Sequence, residues 1–483
     1  MAEEKIPGII LENMDTSVSP KEDFYNYVNG NWVKTNTIPD DESRWGGFGV
    51  LRKSTRQDVL NILNTSINWQ KLMDDMGIDK KVDTLLVMQP KYMKAMDAFL
   101  KAASIEDVKT LMTWNTLDNA AALLTTDMEK ANWDFYGKTL NGSKKMRPAD
   151  ERALGTVDGS VGEAIGQLYV QAKFPPEAKE KAEKMITNVI AAFQNRINNL
   201  DWMTEETKKK AIEKLDKFTV KIAYPDEWED YSSMQIKEGN SYAENMLAVG
   251  EWAQNKNMAE INEPVGKSKW GMAPQTANAY FNPLNNEIVF PAAILQPPFY
   301  NYTADETVNY GGISAVIGHE ISYAFDDSGA RFDGDGNVNN WWIPEDLTEF
   351  EKRGKSLADQ YSAIEVLDSV YVNGPYTLGE NIGDLGGVLG AYDGLQLYFK
   401  ENGKPDAIDG FSAEQRFFMS WATVWRTITR DEALRRLIKT DTHSPGIVRA
   451  TQPLKNIDAF YEAFDIKEGD GMYLAPENRV RIW

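Results

Sequence analysis

The sequence contains no cysteine. That excludes a disulfide framework and any zinc site built on thiolates. Histidine is almost as scarce, with only His319 and His443 among 483 residues, so a two-histidine metal site would have to use both. Cationic charge is also short: 52 Lys and Arg stand against 73 Asp and Glu, a formal net charge of −21. Such a balance argues against nucleic acid and anionic lipid surfaces as partners. No stretch approaches the ~18 consecutive apolar residues of a spanning helix, so no membrane span is expected. The opening MAEEKIPGII lacks the basic start and apolar run of a signal peptide.

What is present describes a globular body. Hydrophobic residues make up 42% of the chain and aromatics 11%, including 14 Trp, enough for large buried clusters. The length suits two or three domains or one two-lobed body. Residues 20–52 are aromatic and turn-rich, and read as a segment that wraps another body. Helical spacing runs through residues 54–63, most of 70–130, and twice through 176–216, where Thr204 offers a capping side chain. Residues 219–270 are mixed and polar. Beyond Trp270, NAYF (278–281) and EIVF (287–290) read as short strands around a turn. The acidic turn FDGDGNVNNWW mimics a calcium loop, but Val338 takes the required glycine position and Pro344 the twelfth, so that reading fails.

The most informative stretch is VIGHEISYAFDD, Val316 to Asp327. The zinc pattern H-E-x-x-H sets two imidazoles four residues apart on one helix face, with the Glu beside the metal-bound water as general base. Here His319 and Glu320 are in place, but Tyr323 stands where the second histidine belongs. Taken alone, a lone His on an apolar helix is more often a core residue than a ligand. Glu380 and Asp384, in GENIGDLGGV, are also four apart. Glu380 is a candidate third ligand, and Asp384 a candidate acceptor for the far nitrogen of His319. The alternative is an ordinary acidic surface face, which the flanking glycines and apolar residues 385–389 make less attractive.

These stretches, with FYNYVNGNW, IPDDESRWGGFGVLR, NAYFNPLNNEIVFPAAILQPPFY, THSPGIVR and RVRIW, follow one another in an order that resembles the neprilysin-like zinc metallopeptidases. The resemblance implies a mainly α fold with a small β component (α+β): a thermolysin-like catalytic lobe plus a helical lid lobe. The expected division is a wrapping segment over residues 1–65, a lid over 66–265 and the catalytic lobe over 266–483. His319 matches the first zinc ligand, Glu320 the catalytic base, Glu380 the third ligand and Asp384 the partner that orients the first His. His443 matches the histidine that stabilises the oxyanion. Asn278 and Ala279 match the strand that pairs with substrate backbone, and Arg449 the arginine that holds a substrate carbonyl. Phe48, Ile294, Phe299, Val316 and Trp425 fall at the apolar pocket, with core packing as the rival reading. Arg44 and Arg52 fall where the peptide's C-terminal end binds.

The resemblance implies peptide substrates, one zinc per chain, and cleavage on the amino side of apolar residues. An extracytoplasmic location, periplasmic or secreted, is expected over a cytoplasmic one. Two departures qualify this. Tyr323 is a poor ligand at neutral pH, because a neutral phenol titrates near 10, so zinc is expected to bind weakly or not at all and hydrolysis to be impaired. The chain is also short: the long helical block the family carries between the segments ending near Leu63 and starting near Ile67 is missing, which predicts a reduced lid and a more open chamber. The alternative to an impaired endopeptidase is a catalytically inactive peptide-binding member.

Overall fold

The computed structural model describes residues 9–38, 44–46, 90–260, 263–326 and 328–483. The expected helix over 54–63, the start of the 70–130 helical region, the proposed deletion point, Phe48 and Arg52 lie outside them. In chain order the main elements are α1 (Phe24–Thr35), β1 (Arg44–Gly46), α2 (Pro90–Ala102), α3 (Ile105–Ala120), α4 (Thr126–Trp133), α5 (Ala149–Lys173), α6 (Pro176–Asn199), α7 (Glu205–Asp216), β2 (Thr219–Ala223) and α8 (Tyr242–Ala259). Then come β3 (Tyr280–Asn282), β4 (Glu287–Pro291), α9 (Ala315–Ser322), α10 (Pro344–Ser362), β5 (Glu365–Leu367), β6 (Val370–Tyr371), α11 (Leu378–Asn402), α12 (Ala413–Val424), β7 (Thr427–Thr429) and α13 (Asp431–Thr440). The fold is mainly α with a small β component, as the sequence implied.

Two compact units emerge, one from segments 1–64, 147–228 and 267–483, the other from 65–146 and 229–266. In the second unit, α3 and α8 each open on a capping box, Ser104 with Asp107 and Ser241 with Glu244, which satisfies free N–H groups at the helix start. The expected lobe over 66–265 differs from this division. Residues 147–228 belong with the first unit because α6 packs along α11, where buried Phe193 fills the space above Gly390. Among the described residues no helix is long and apolar enough to cross a membrane.

The first unit carries a three-stranded sheet in the order β2-β4-β3. β2 runs parallel to β4, with Thr219 opposite Glu287, and β3 antiparallel, with Tyr280 opposite Val289. Every residue of the central β4 is buried, whereas β3 lies at one edge of the sheet. Two aromatic clusters support the helices. Phe325, Trp341, Trp342, Phe350 and Trp483 interlock on one side, and Phe24, Phe418, Phe460 and Phe464 on another. Thr204 does precede α7, but its hydroxyl and N–H both go to buried Asp346 (2.7 and 3.1 Å), which ties α7 to α10 instead of capping α7.

The contact that positions everything else is between α9 and α11. A Cβ on Gly387 would lie 2.4 Å from the Ala315 carbonyl oxygen and 2.8 Å from the His319 nitrogen, and one on Gly318 would lie 2.8 Å from the Gly387 carbonyl oxygen. Only glycine lets the two backbones come this close. Behind α9, the loop that follows it is fixed by Lys214, whose buried ammonium donates to the carbonyls of Ala324, Gly329 and Phe332 at 2.7–2.8 Å. Burial pushes this lysine's pKa down to about 7, against the pull of Asp326 and Asp333. Replacing Gly387 by alanine should force the helices apart and cost roughly 1–3 kcal/mol. A denaturant melt that left the midpoint unchanged would show that the crossing relaxes freely.

Candidate active site

Helix α9 is buried along its whole length, so His319 and Glu320 are set in a low-dielectric environment, each only 6% exposed. α11 brings Glu380 and Asp384 beside them from one helix face, as the spacing predicted. Asp384 Oδ1 accepts from His319 Nδ1 at 3.0 Å, leaving Nε2 pointing toward the cleft. Asp384 is itself held by Arg449 through two bonds, from Nε (2.8 Å) and Nη2 (2.7 Å), and the guanidinium lies 3.7 Å from the centre of the Trp425 ring. His443 sits on the loop after α13. Its Nδ1 meets Asp441 Oδ1 at 2.8 Å and its Nε2 lies 3.1 Å from Glu380 Oε2. Ser444 donates to Asn381 Oδ1 at 2.8 Å and so docks that loop on α11.

The side chains expected at positions 319, 320, 380 and 443 therefore converge. They line one cleft of about 440 Å³ together with Asn278, Ala279, Val316, Tyr323, Trp425 and Arg449. Asp384 stands behind His319. Asn278 and Ala279 run straight into edge strand β3, whose far side no described strand occupies. Arg44 lies in β1, opposite Thr429. Ile294 and Phe299 do not reach the cleft. Both are fully buried, and Phe299 packs in the core, its carbonyl accepting from Ile313 N at 2.8 Å. The rival core reading holds for these two, because an apolar side chain beside a site is recruited by the interior unless the backbone aims it outward. Sequence reasoning missed Met272, Leu434, Leu437 and Ile438, which also line the cleft. The apolar spacing in DEALRRLIKT was the available signal.

Tyr323 decides what the site can hold. Its hydroxyl lies 2.8 Å from His319 Nε2, the nitrogen a metal would need, and the two rings meet edge to face at 4.7 Å. Burial, then the charges of Glu380 and Glu320, drives the phenol pKa well above its usual value, so it stays neutral. Burial opposes a charge on His319, but hydrogen bonds to Asp384 and Glu380 outweigh it and raise its pKa to about 10. Burial likewise works against ionised Glu380, yet His319, His443 and Arg449 hold it well below the usual carboxylate range. For Glu320 burial, aided by the charge of Glu380, outweighs the pull of His319, Arg449 and the Phe281 backbone and pushes it up to about 7. Among the described residues no group of three or more His, Cys, Asp or Glu is placed to hold a metal ion. A zinc ion would find one imidazole, one carboxylate and a neutral phenol already bonded to that imidazole. This donor set does not fit zinc.

Fold and cleft together define a zinc-peptidase architecture with an altered metal position. The chain belongs to peptidase family M13: that family's profile matches residues 278–480, and the profile of its N-terminal part matches residues 20–67 and 63–225. The neutral endopeptidase of Lactococcus lactis subsp. lactis is 34% identical over 440 residues, covering 91% of this chain and 68% of that protein. Neprilysin of Homo sapiens is 34% identical over 471 residues, covering 93% and 62%. The neutral endopeptidase of Lactobacillus helveticus is 35% identical, and this chain spans only 61% of its length. Among solved structures, the zinc metalloprotease ZMP1 of Mycobacterium tuberculosis in complex with an inhibitor superposes with a TM-score of 0.89 at 29% identity, covering 99% of this chain and 100% of that one.

The Glu320 shift has a measurable sign. Between the ordinary carboxylate value of 4.5 and about 7 the folded state binds a proton that the unfolded state has released, so this residue's contribution to stability falls as pH rises through that window. In the presence of a chelator, Glu320→Gln should therefore be more stable than the parent at pH 8, by roughly 1–3 kcal/mol, and equal to it near pH 4.5. Urea melts at the two pH values check this. An equal difference at both would mean the carboxyl is not desolvated.

Proposed function

We propose that this chain is a peptide-binding member of family M13 whose zinc-dependent hydrolysis is suppressed at Tyr323. The carrying observation is the 2.8 Å contact between the Tyr323 hydroxyl and His319 Nε2. The cleft keeps the means to bind an extended peptide. Asn278 and Ala279 lead into an open sheet edge, where a substrate backbone adds as a further strand. Glu320 faces the same space with a pKa near neutrality, suited to a general base, and accepts a hydrogen bond from the Phe281 backbone beside that edge. Half-exposed His443, with Nε2 3.1 Å from Glu380 Oε2, is the donor we assign to a substrate carbonyl oxygen.

A second reading is a slow zinc endopeptidase cutting on the amino side of apolar residues. It is supported by the convergence of His319, Glu320, Glu380 and His443 on one cleft, with Asp384 behind His319. The two readings separate in one experiment. Tyr323→His restores the missing imidazole. Loss of an outer partner alone costs ~10–100-fold in metal affinity, so regaining a ligand should raise zinc affinity at least ~100-fold. Elemental analysis after dialysis against buffered zinc should find zinc in Y323H and not in the parent, and a quenched fluorescent peptide should be cleaved only by Y323H. A parent that holds one zinc per chain and cleaves as fast as the variant overturns the proposal in favour of the second reading.

A further inference from the structure

Among the described residues, most of the large hydrophobic side chains left in water belong to the second compact unit, the smaller of the two. They gather on α3. Ile105, Leu111, Met112, Trp114 and Leu117 are all exposed, and the helix has no buried residue. Ile105 and Met112 lie at i and i+7 with half-buried Val108 between them, and Leu111, Trp114 and Leu117 continue the apolar surface around the helix. A helix that is apolar over more than half of its circumference is one that a fold ordinarily encloses. Scattered singly, such residues would need no explanation. Gathered on one helix they form a patch that calls for a cover.

The patch is held in shape. α3 opens on the Ser104–Asp107 capping box, and near its other end Asp118 accepts from the Tyr136 hydroxyl at 2.6 Å, which ties the helix to the turn after α4. In that turn Phe135 and Tyr136 meet edge to face with ring centres 5.0 Å apart. Phe135 and Leu124 are exposed as well. A surface already ordered in this way gives up little conformational freedom when it is covered. The exposed parts of the α3 side chains amount to roughly 500 Å², and with Leu124 and Phe135 the patch approaches the ~800 Å² that each partner gives to a stable protein–protein interface.

Charge bears on what the cover is. With a net charge of −21, two copies of this chain repel each other as whole bodies. Residues 90–146, however, carry 8 Lys against 7 Asp and Glu, 8 − 7 = +1, so the negative excess lies elsewhere. A second copy can approach α3 without meeting a concentrated like charge. Pairing of like with like also asks for no separate complementary surface, because about a two-fold axis each face meets itself. We infer that two copies of this chain pair through α3, the apolar face of each covering that of the other.

Sedimentation equilibrium of the intact chain over a range of concentrations tests this. The parent should reach twice the chain mass and go no further. Added salt should tighten the pair, because salt screens the repulsion of two acidic bodies and leaves an apolar contact intact. Trp114→Asp and Met112→Lys should each raise the dissociation constant at least ~100-fold, since a two-fold axis counts every substitution twice. Their opposite charges make a shared loss the signature of the apolar face. Either variant alone carries the test if circular dichroism shows the other unfolded. Val338→Asp, which removes a comparably exposed apolar side chain from the first unit, should leave pairing within about twofold. A parent that stays monomeric at every concentration overturns the inference. So does a dimer that survives both α3 substitutions, one that Val338→Asp dissolves equally, or growth into open-ended polymers, which a self-covering face does not give.

Discussion

The close crossing of α9 and α11 is the constraint on which the site depends. Gly318 and Gly387 remove the side chains that would keep two helices at an ordinary separation, and Gly383 does the same beneath the His319 ring, where an added Cβ would stand 2.7 Å from Nδ1. The consequence is chemical as well as steric. At that separation Asp384 reaches Nδ1 and fixes the ring's orientation, while Glu380, one turn earlier, reaches the side of Nε2. Neither helix could present these groups alone. The approach also excludes water, which is why Asp384 needs two hydrogen bonds from Arg449 to remain ionised at no measurable exposure.

Much of this was legible in the chain. His319, Glu320 and Tyr323, like Glu380 and Asp384, are related by helical spacing, and that spacing survives folding because it is local. The two short strands were readable for the same reason. What was not legible depended on long-range packing. Ile294 and Phe299 have the composition of a pocket lining and went to the core, a choice made by backbone direction. Leu434, Leu437 and Ile438 announce an amphipathic helix, but not the cavity it faces. Lys214 is the clearest case. In the run KKKAIEKLD it reads as part of a solvated face, yet its ammonium is enclosed by three carbonyls from a loop more than a hundred residues away. No local pattern distinguishes it from its neighbours.

The glycines beside Glu380 and Asp384 argue, from sequence alone, only against a surface face. Their role in the helix crossing needed the second helix to be seen. Thr204 shows the converse. Its type and place at a helix start were read correctly, but a buried carboxylate from α10 took its hydroxyl. Competition of this kind is the ordinary way in which tertiary structure overrides a local preference.

Charge balance bears on the proposed role of Tyr323. With His319 protonated, the buried cluster holds two cations, His319 and Arg449, against two anions, Glu380 and Asp384, and Glu320 is neutral below about 7. The cluster is self-neutral, so it exerts little net pull on a divalent cation. A metal would first have to displace the proton from His319 Nε2. With that pKa raised by Asp384 and Glu380, removing the proton costs free energy before any bond to metal is formed. A second imidazole at position 323 would repay this with a lone pair. The Tyr323 phenol, itself unwilling to ionise, instead accepts a hydrogen bond from the imidazolium Nε2–H. On the reading proposed above, the carboxylates that would hold a zinc-binding histidine in place hold a proton there instead.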